Sequence, residues 1–123
     1  MPSATILVVE DDSLAHDLYQ ILFDIEGLEV VRAANGVEAL EKAHALGPQL
    51  VLLDLGIPGL DGEEVLRQMK MDSRLARIPV IVVTAKAQAI EELEKQLGMA
   101  NVFAKPFKST KLLDRVIELI GLG

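Results

Sequence analysis

Apolar residues along this chain recur with two periods, and the alternation between them lays out the elements. Residues 4–9 form a β-branched run that predicts a first strand, ending in three acids, Glu10, Asp11 and Asp12. Ser13 reads as the N-cap of a first helix, whose apolar positions Leu14, Leu18, Ile21, Leu22 and Ile25 fall on one face and which Gly27 stops. Residues 28–33 make a weaker second strand; Asn35 can cap a helix carrying Val37, Leu40, Ala43 and Leu46, closed by Gly47-Pro48. Residues 49–54 are the most continuous apolar run, and they end abruptly in one carboxylate, Asp54. A segment punctuated by Gly56, Pro58, Gly59 and Gly62 follows, then a helix over 63–71 with Val65, Leu66 and Met69 inward. Residues 80–83 predict a fourth strand ending in Thr84, and 87–97 a fourth helix burying Ile90, Leu93 and Leu97, with Gly98 as its stop. A short fifth strand over 101–104 leads to Lys105-Pro106. Ser109 can cap a last helix with apolar Leu112, Leu113, Val116, Ile117 and Ile120, and residues 121–123 read as a helix stop or the start of a linker.

Five strands alternating with five helices predict an α/β, doubly wound parallel sheet with right-handed crossovers. For a five-stranded chain of this size the flavodoxin-like strand order 2-1-3-4-5 is expected. The 123 residues fit one domain, 1–123, with half of them hydrophobic and a quarter charged. No cysteine is present, which removes disulfides, thiolate metal sites and thiol nucleophiles. No signal peptide and no run of membrane-spanning length is read, so the expectation is a cytoplasmic protein without membrane insertion. A net charge of −7 and 3% aromatic residues argue against direct nucleic-acid binding.

In the expected order the first and third strands are neighbours, about 4.8 Å apart, so Glu10, Asp11 and Asp54 converge at one sheet edge. Carboxylates that close repel, and at least one pKa should rise unless a cation compensates. The all-oxygen set suits Mg²⁺, which needs only one or two carboxylates and keeps several waters. Thr84 and Lys105 end the next two strands as Asp54 ends its own. A carboxylate nucleophile, a hydroxyl and an ammonium at one edge are what phosphoryl transfer asks of a protein. Thr84 could donate to a phosphoryl oxygen, Lys105 could pair with Asp54 and then with phosphate, and the small Ala85 leaves the site open.

With these residues in place the chain resembles the receiver domain of two-component response regulators, the CheY-like fold. The resemblance is carried by Ile6-Leu7-Val8-Val9-Glu10-Asp11-Asp12, by Leu52-Leu53-Asp54 with Pro58-Gly59-Leu60-Asp61-Gly62, by Val82-Val83-Thr84-Ala85, and by Lys105-Pro106-Phe107. It implies phosphorylation at Asp54. It implies Mg²⁺ held by the acidic pair Glu10 and Asp11, with Asp11 a direct ligand, by Asp54, and by the backbone carbonyl of Gly56. Thr84 and Lys105 match the switch hydroxyl and the family's lysine, and the bond to Pro106 is usually cis. The implied partners are a sensor histidine kinase or phosphotransfer protein upstream, and an output protein or fused output domain downstream. The implied chemistry is Mg²⁺-dependent phosphotransfer and autodephosphorylation of the domain itself, not an enzyme acting on other substrates.

Three departures mark this sequence. Val102 stands where the family usually has Tyr or Phe, with Phe103 alternating to the opposite face. The interval from Thr84 to Lys105 is one residue shorter than is common, and Gly56 replaces a side chain beside the phosphoryl group. The first two motivate an alternative, a phosphate-independent interaction module on the same fold. An aspartate-nucleophile phosphatase is disfavoured because Gly56 lacks the second acid, and a flavin protein because loop aromatics are missing. His16 and His44 read as solvent-exposed, Glu91, Glu92 and Glu94 as a solvated acidic face, and Lys108, Lys111 and Arg115 as an ordinary basic surface. No output domain follows in the sequence given, which fits a stand-alone regulator or a piece of a longer chain.

Overall fold

The computed structural model describes residues 4–55 and 62–121. Its strands are β1 (Thr5–Val9), β2 (Glu29–Ala33), β3 (Leu50–Asp54), β4 (Val80–Thr84) and β5 (Val102–Ala104). Its helices are α1 (Ser13–Ile25), α2 (Gly36–Leu46), α3 (Gly62–Met71), α4 (Ala87–Leu97) and α5 (Ser109–Ile120), with a 3₁₀ turn at Met99–Asn101 before β5. All strand pairs are parallel and the order is 2-1-3-4-5. This is the CheY-like, doubly wound arrangement expected from the alternation of periods.

Strand alternation splits the core into two layers. Leu7, Val9, Val51, Leu53, Val82 and Val102 face α2, α3 and α4, where Ala39, Ala43, Val65, Leu66, Met69 and Leu93 meet them. Ile6, Val8, Leu50, Leu52, Ile81 and Val83 face α1 and α5, where Tyr19, Phe23, Leu112 and Val116 meet them. The central strands are buried on both faces, which is why they read as unbroken apolar runs.

Helix 1 differs from expectation. Its buried residues are Tyr19 and Phe23, while Leu14, Leu18, Ile21 and Ile25 are 59–75% exposed. Large flat rings fill the space over the sheet with Leu22 half-buried beside them, and the rest of the aliphatic stripe turns outward. Spacing identified an apolar face but could not say which face the sheet would take. The same holds in α2, where Val37 and Leu46 lie outside and Gly36, Ala39 and Ala43 pack inward. The caps shift as well. Asp12, not Ser13, caps α1 by accepting the Leu14 N–H at 3.1 Å, and Ser109 is the first residue of α5 rather than its cap. Asn35 caps α2 as expected, accepting from the Glu38 N–H at 2.9 Å. Gly47 and Gly121 end their helices with left-handed backbones, which glycine adopts without Cβ strain.

Candidate functional site

Parallel register brings the chemistry to one edge. Val9 pairs with Leu53, Asp54 with Val83, and Thr84 with Ala104. The residues just beyond, Glu10, Leu55 and Lys105, continue the ladder: Glu10 N–H donates to Ala33 O at 2.9 Å and Lys105 N–H to Thr84 O at 2.9 Å. The edge therefore carries Glu10 and Asp11 after β1, Asp54 at the end of β3, Thr84 at the end of β4 and Lys105 after β5.

Glu10 is 3% exposed. Its Oε1 accepts the Asp12 N–H at 3.1 Å, and its Oε2 is buried without a donor. The Asp54 carboxyl is close enough for its charge to act on Glu10. Burial first, then the neighbouring Asp54 carboxyl, push Glu10 up from 4.5 to about 8. Lys105 Nζ binds Asp54 Oδ2, in an ion pair with the carboxylate largely sheltered. Burial works against the Lys105 charge, but that bond and the charges of Asp54, Glu10 and Asp11 outweigh it and raise its pKa. Asp11 is exposed yet close enough to act on Lys105. Thr84 is buried, and its Oγ1 accepts the Lys86 N–H at 2.9 Å. Ala85 is exposed beside it.

A buried carboxylate oxygen without a donor, facing a second carboxylate, fits a hard divalent cation better than it fits vacancy. Among the described residues no three His, Cys, Asp or Glu side chains are gathered as a ready cage. Mg²⁺ does not need one. Glu10, Asp11 and Asp54 would hold it; the expected carbonyl of Gly56 lies outside the described residues, as do Pro58, Gly59, Leu60 and Asp61. The Lys105–Pro106 bond is cis.

Val102 is buried among the α2, α3 and α4 side chains, and Phe103 packs on the opposite layer, as alternation requires. All four aromatic rings of the chain sit on that second layer in one connected stack. Phe23 lies 6.3 Å from Tyr19, Tyr19 6.4 Å from Phe107, and Phe107 6.1 Å from Phe103. Tyr19 and Lys105, with Pro106 and Phe107, also line an apolar groove of about 740 Å³ against Leu18 and Ile21 of α1. Burial, then the charges of Asp54 and Glu10, raise the Tyr19 pKa, which places its hydroxyl in the field of the site.

Two neighbours of the site escaped the sequence reading. Tyr19 is one; the only clue was a lone tyrosine off the aliphatic stripe. Arg32 is the other, and it ties the acidic loop to β2 through Glu10 O, Asp11 O and Ser13 Oγ. An arginine at the carboxyl end of the strand beside three acids was the available signal. His16 is not solvent-exposed as expected. Its side chain is 12% exposed and its Nε2 buried without a partner, while burial and then the Arg32 charge lower its pKa. His44 is exposed as expected, with its Nε2 3.0 Å from Asp72 Oδ2.

Residues 6–117 match the family model described as response regulator receiver domain. The chain is 35% identical over 122 residues to the polar-differentiation response regulator DivK of Brucella anthropi, covering 98% of each. It is 36% identical over 122 residues to sporulation initiation phosphotransferase F of Bacillus subtilis, covering 99% of this chain and 98% of that one. A receiver domain of a sensor histidine kinase from Pseudomonas aeruginosa, solved with magnesium coordinated in its active-site cleft, superposes with a TM-score of 0.86 at 30% identity, covering 98% and 99% of the two chains. A chemotaxis response regulator of Vibrio cholerae superposes at 0.83 with 26% identity, covering 96% and 99%.

Proposed function

The chain belongs to the response regulator receiver family, and from that membership we propose that it accepts a phosphoryl group on Asp54 within a two-component or phosphorelay system. The observation that carries the proposal is the ion pair of Lys105 with Asp54 beside the buried Glu10 carboxyl. An Asp54 oxygen attacks phosphorus, forming an acyl-phosphate O–P bond. The P–N bond to a donor imidazole breaks, and the imidazole leaves with the electron pair. Lys105 holds Asp54 before transfer and can follow the negative charge onto a phosphoryl oxygen afterwards. Thr84 can turn its hydroxyl from the Lys86 amide to a second oxygen. Mg²⁺, held by Glu10, Asp11 and Asp54, would neutralise charge on the transferring group. Hydrolysis reverses the state: water attacks phosphorus, the O–P bond breaks, and the Asp54 carboxylate and inorganic phosphate return. Ala85 leaves room for that water. These are reactions of the domain on itself, and no other substrate is proposed.

The donor in this reading is a sensor histidine kinase or a phosphotransfer protein. The exposed stripe of Leu14, Leu18, Ile21 and Ile25 runs beside the acceptor edge, and its spacing suits packing against a partner helix. The added phosphoryl charge would bias a two-state equilibrium at the α4–β5–α5 surface, read by an output protein or a fused output domain. No described helix is long and apolar enough to cross a membrane; in this reading the chain works in the cytoplasm. Incubation with a phosphohistidine-bearing donor tests the reading. Label should leave the donor for the wild-type chain and stay on the donor when Asp54→Ala is offered.

Val102 supports a second reading. It is aliphatic and already packed in the core, so the face it serves lacks a ring that could swing inward. A chain that binds its output partner equally well with and without a phosphoryl mimic would be a phosphate-independent module on this fold.

A further inference from the structure

Resting on the reading of Asp54 as a Mg²⁺-dependent acceptor, we propose that Arg32 is a positioning residue that locks the backbone of Asp11 and so presets the cation site. Arg32 pairs with Val8 across the edge strand β2, which lets its side chain reach over the end of β1. Its Nη2 donates to Asp11 O at 2.9 Å, its Nε to Glu10 O at 3.2 Å and its Nη1 to Ser13 Oγ at 3.3 Å. The two carbonyls belong to the two peptide planes that flank the Asp11 Cα. Each plane is rigid, so fixing both fixes φ and ψ of Asp11 and the direction of its Cβ. The fork geometry of a guanidinium allows one side chain to do this; an ammonium cannot reach all three acceptors in the same plane.

Arg32 is itself anchored. Its carbonyl accepts Lys42 Nζ at 2.5 Å, and Lys42 pairs with Glu38 at 2.6 Å. The acidic loop is therefore tied through β2 to α2, away from the side where a partner or phosphoryl group would arrive. Asp12 caps α1 from the same loop, so the loop is held at its end as well.

Charge and geometry predict opposite signs, which makes the idea testable. Arg32 is a cation close to a site for a cation. If its charge were all that mattered, neutralising it would tighten Mg²⁺ binding. If it positions Asp11, removing the fork weakens binding, by roughly tenfold for a partner of this kind. The experiment is a calorimetric titration with Mg²⁺ alone of wild type, Arg32→Gln, Arg32→Lys and the control Arg77→Gln, an exposed arginine before β4 at the opposite end of the sheet, with melting temperatures taken without Mg²⁺. Both Arg32 variants should bind roughly tenfold more weakly. Arg77→Gln should bind like wild type. Phosphorylation of the Arg32 variants by acetyl phosphate should recover the wild-type rate once Mg²⁺ is saturating, which a damaged fold would not do. Either Arg32 variant binding as tightly as wild type, or more tightly, overturns the positioning role. Should Arg32→Gln fail to fold, Arg32→Lys decides on the same terms. A wild-type chain that binds no Mg²⁺ would instead sink the acceptor reading beneath it.

Discussion

The carboxyl groups of Glu10 and Asp54 stand at the ends of neighbouring parallel strands, close enough for the Asp54 charge to act on the buried Glu10. The fold thus stores unfavourable charge where a cation and a phosphoryl group would relieve it. Glu10 is held near 8 against an ordinary 4.5, so the folded chain binds that proton more tightly than the unfolded chain. The stabilisation is fully present below the unfolded value and is lost as pH rises through the folded one. Urea unfolding without Mg²⁺ should show stability falling between about pH 4.5 and 8. Glu10→Gln should flatten that slope and leave the Mg²⁺-free chain more stable at the alkaline end.

Mg²⁺ binding should for the same reason release a proton near neutral pH. Affinity should strengthen as pH rises toward the raised Glu10 value and level off above it. Calorimetric titrations in buffers of different ionisation enthalpy measure the proton count directly.

Helix 1 offers a contrast between two sets of apolar residues. Leu18 and Ile21 are exposed, so Leu18→Ser and Ile21→Ser should change unfolding free energy by no more than about 0.5 kcal/mol. Phe23 is fully buried in the ring stack, so Phe23→Ala should cost about 3–5 kcal/mol. Denaturant titration checks both, and the serine variants should still slow transfer from a phosphohistidine donor.

Gly62 opens α3 directly behind the acceptor strand. A Cβ there would lie 2.9 Å from Leu55 Cδ2, 3.1 Å from Leu55 Cα and 3.3 Å from Asp54 O. The side-chain tip can move, but the backbone of residues 54 and 55 cannot without shifting the nucleophile. Gly62→Ala should cost about 1–3 kcal/mol in denaturant titration and slow phosphorylation as well.

Tyr19 is the only tyrosine and the chain has no tryptophan, so intrinsic emission reports one ring. Because that ring lies in the field of Asp54 and Glu10, Mg²⁺ should change its emission. Tyr19→Phe should abolish the signal and leave Mg²⁺ affinity by calorimetry near wild type.

The sheet was legible because strands buried on both faces must be continuously apolar, and β1, β3 and β4 are. Their order followed from chain size, and the order alone placed Glu10, Asp54, Thr84 and Lys105 on one edge. What periodicity could not supply is the direction of a helix that carries two apolar sets. In α1 the aliphatic stripe looked like the core, yet Tyr19 and Phe23 fill it, since rings on one helix stack with Phe107 far along the chain. His16 was misplaced by the same rotation. Arg32 offered only its place at the end of β2 beside the acids as a signal, because two of its three acceptors are backbone carbonyls, which no side-chain pattern records. Gly56, Pro58 and Gly59 lie outside the described residues.

The most direct measurement is intact-mass spectrometry after incubation with acetyl phosphate. Wild type with Mg²⁺ should gain the mass of one phosphoryl group, which acid preserves and base removes. Asp54→Ala with Mg²⁺, and wild type in excess chelator, should gain none. A phosphoryl group that appears on Asp54→Ala, or a wild-type chain that stays unmodified with Mg²⁺ present, would contradict the account.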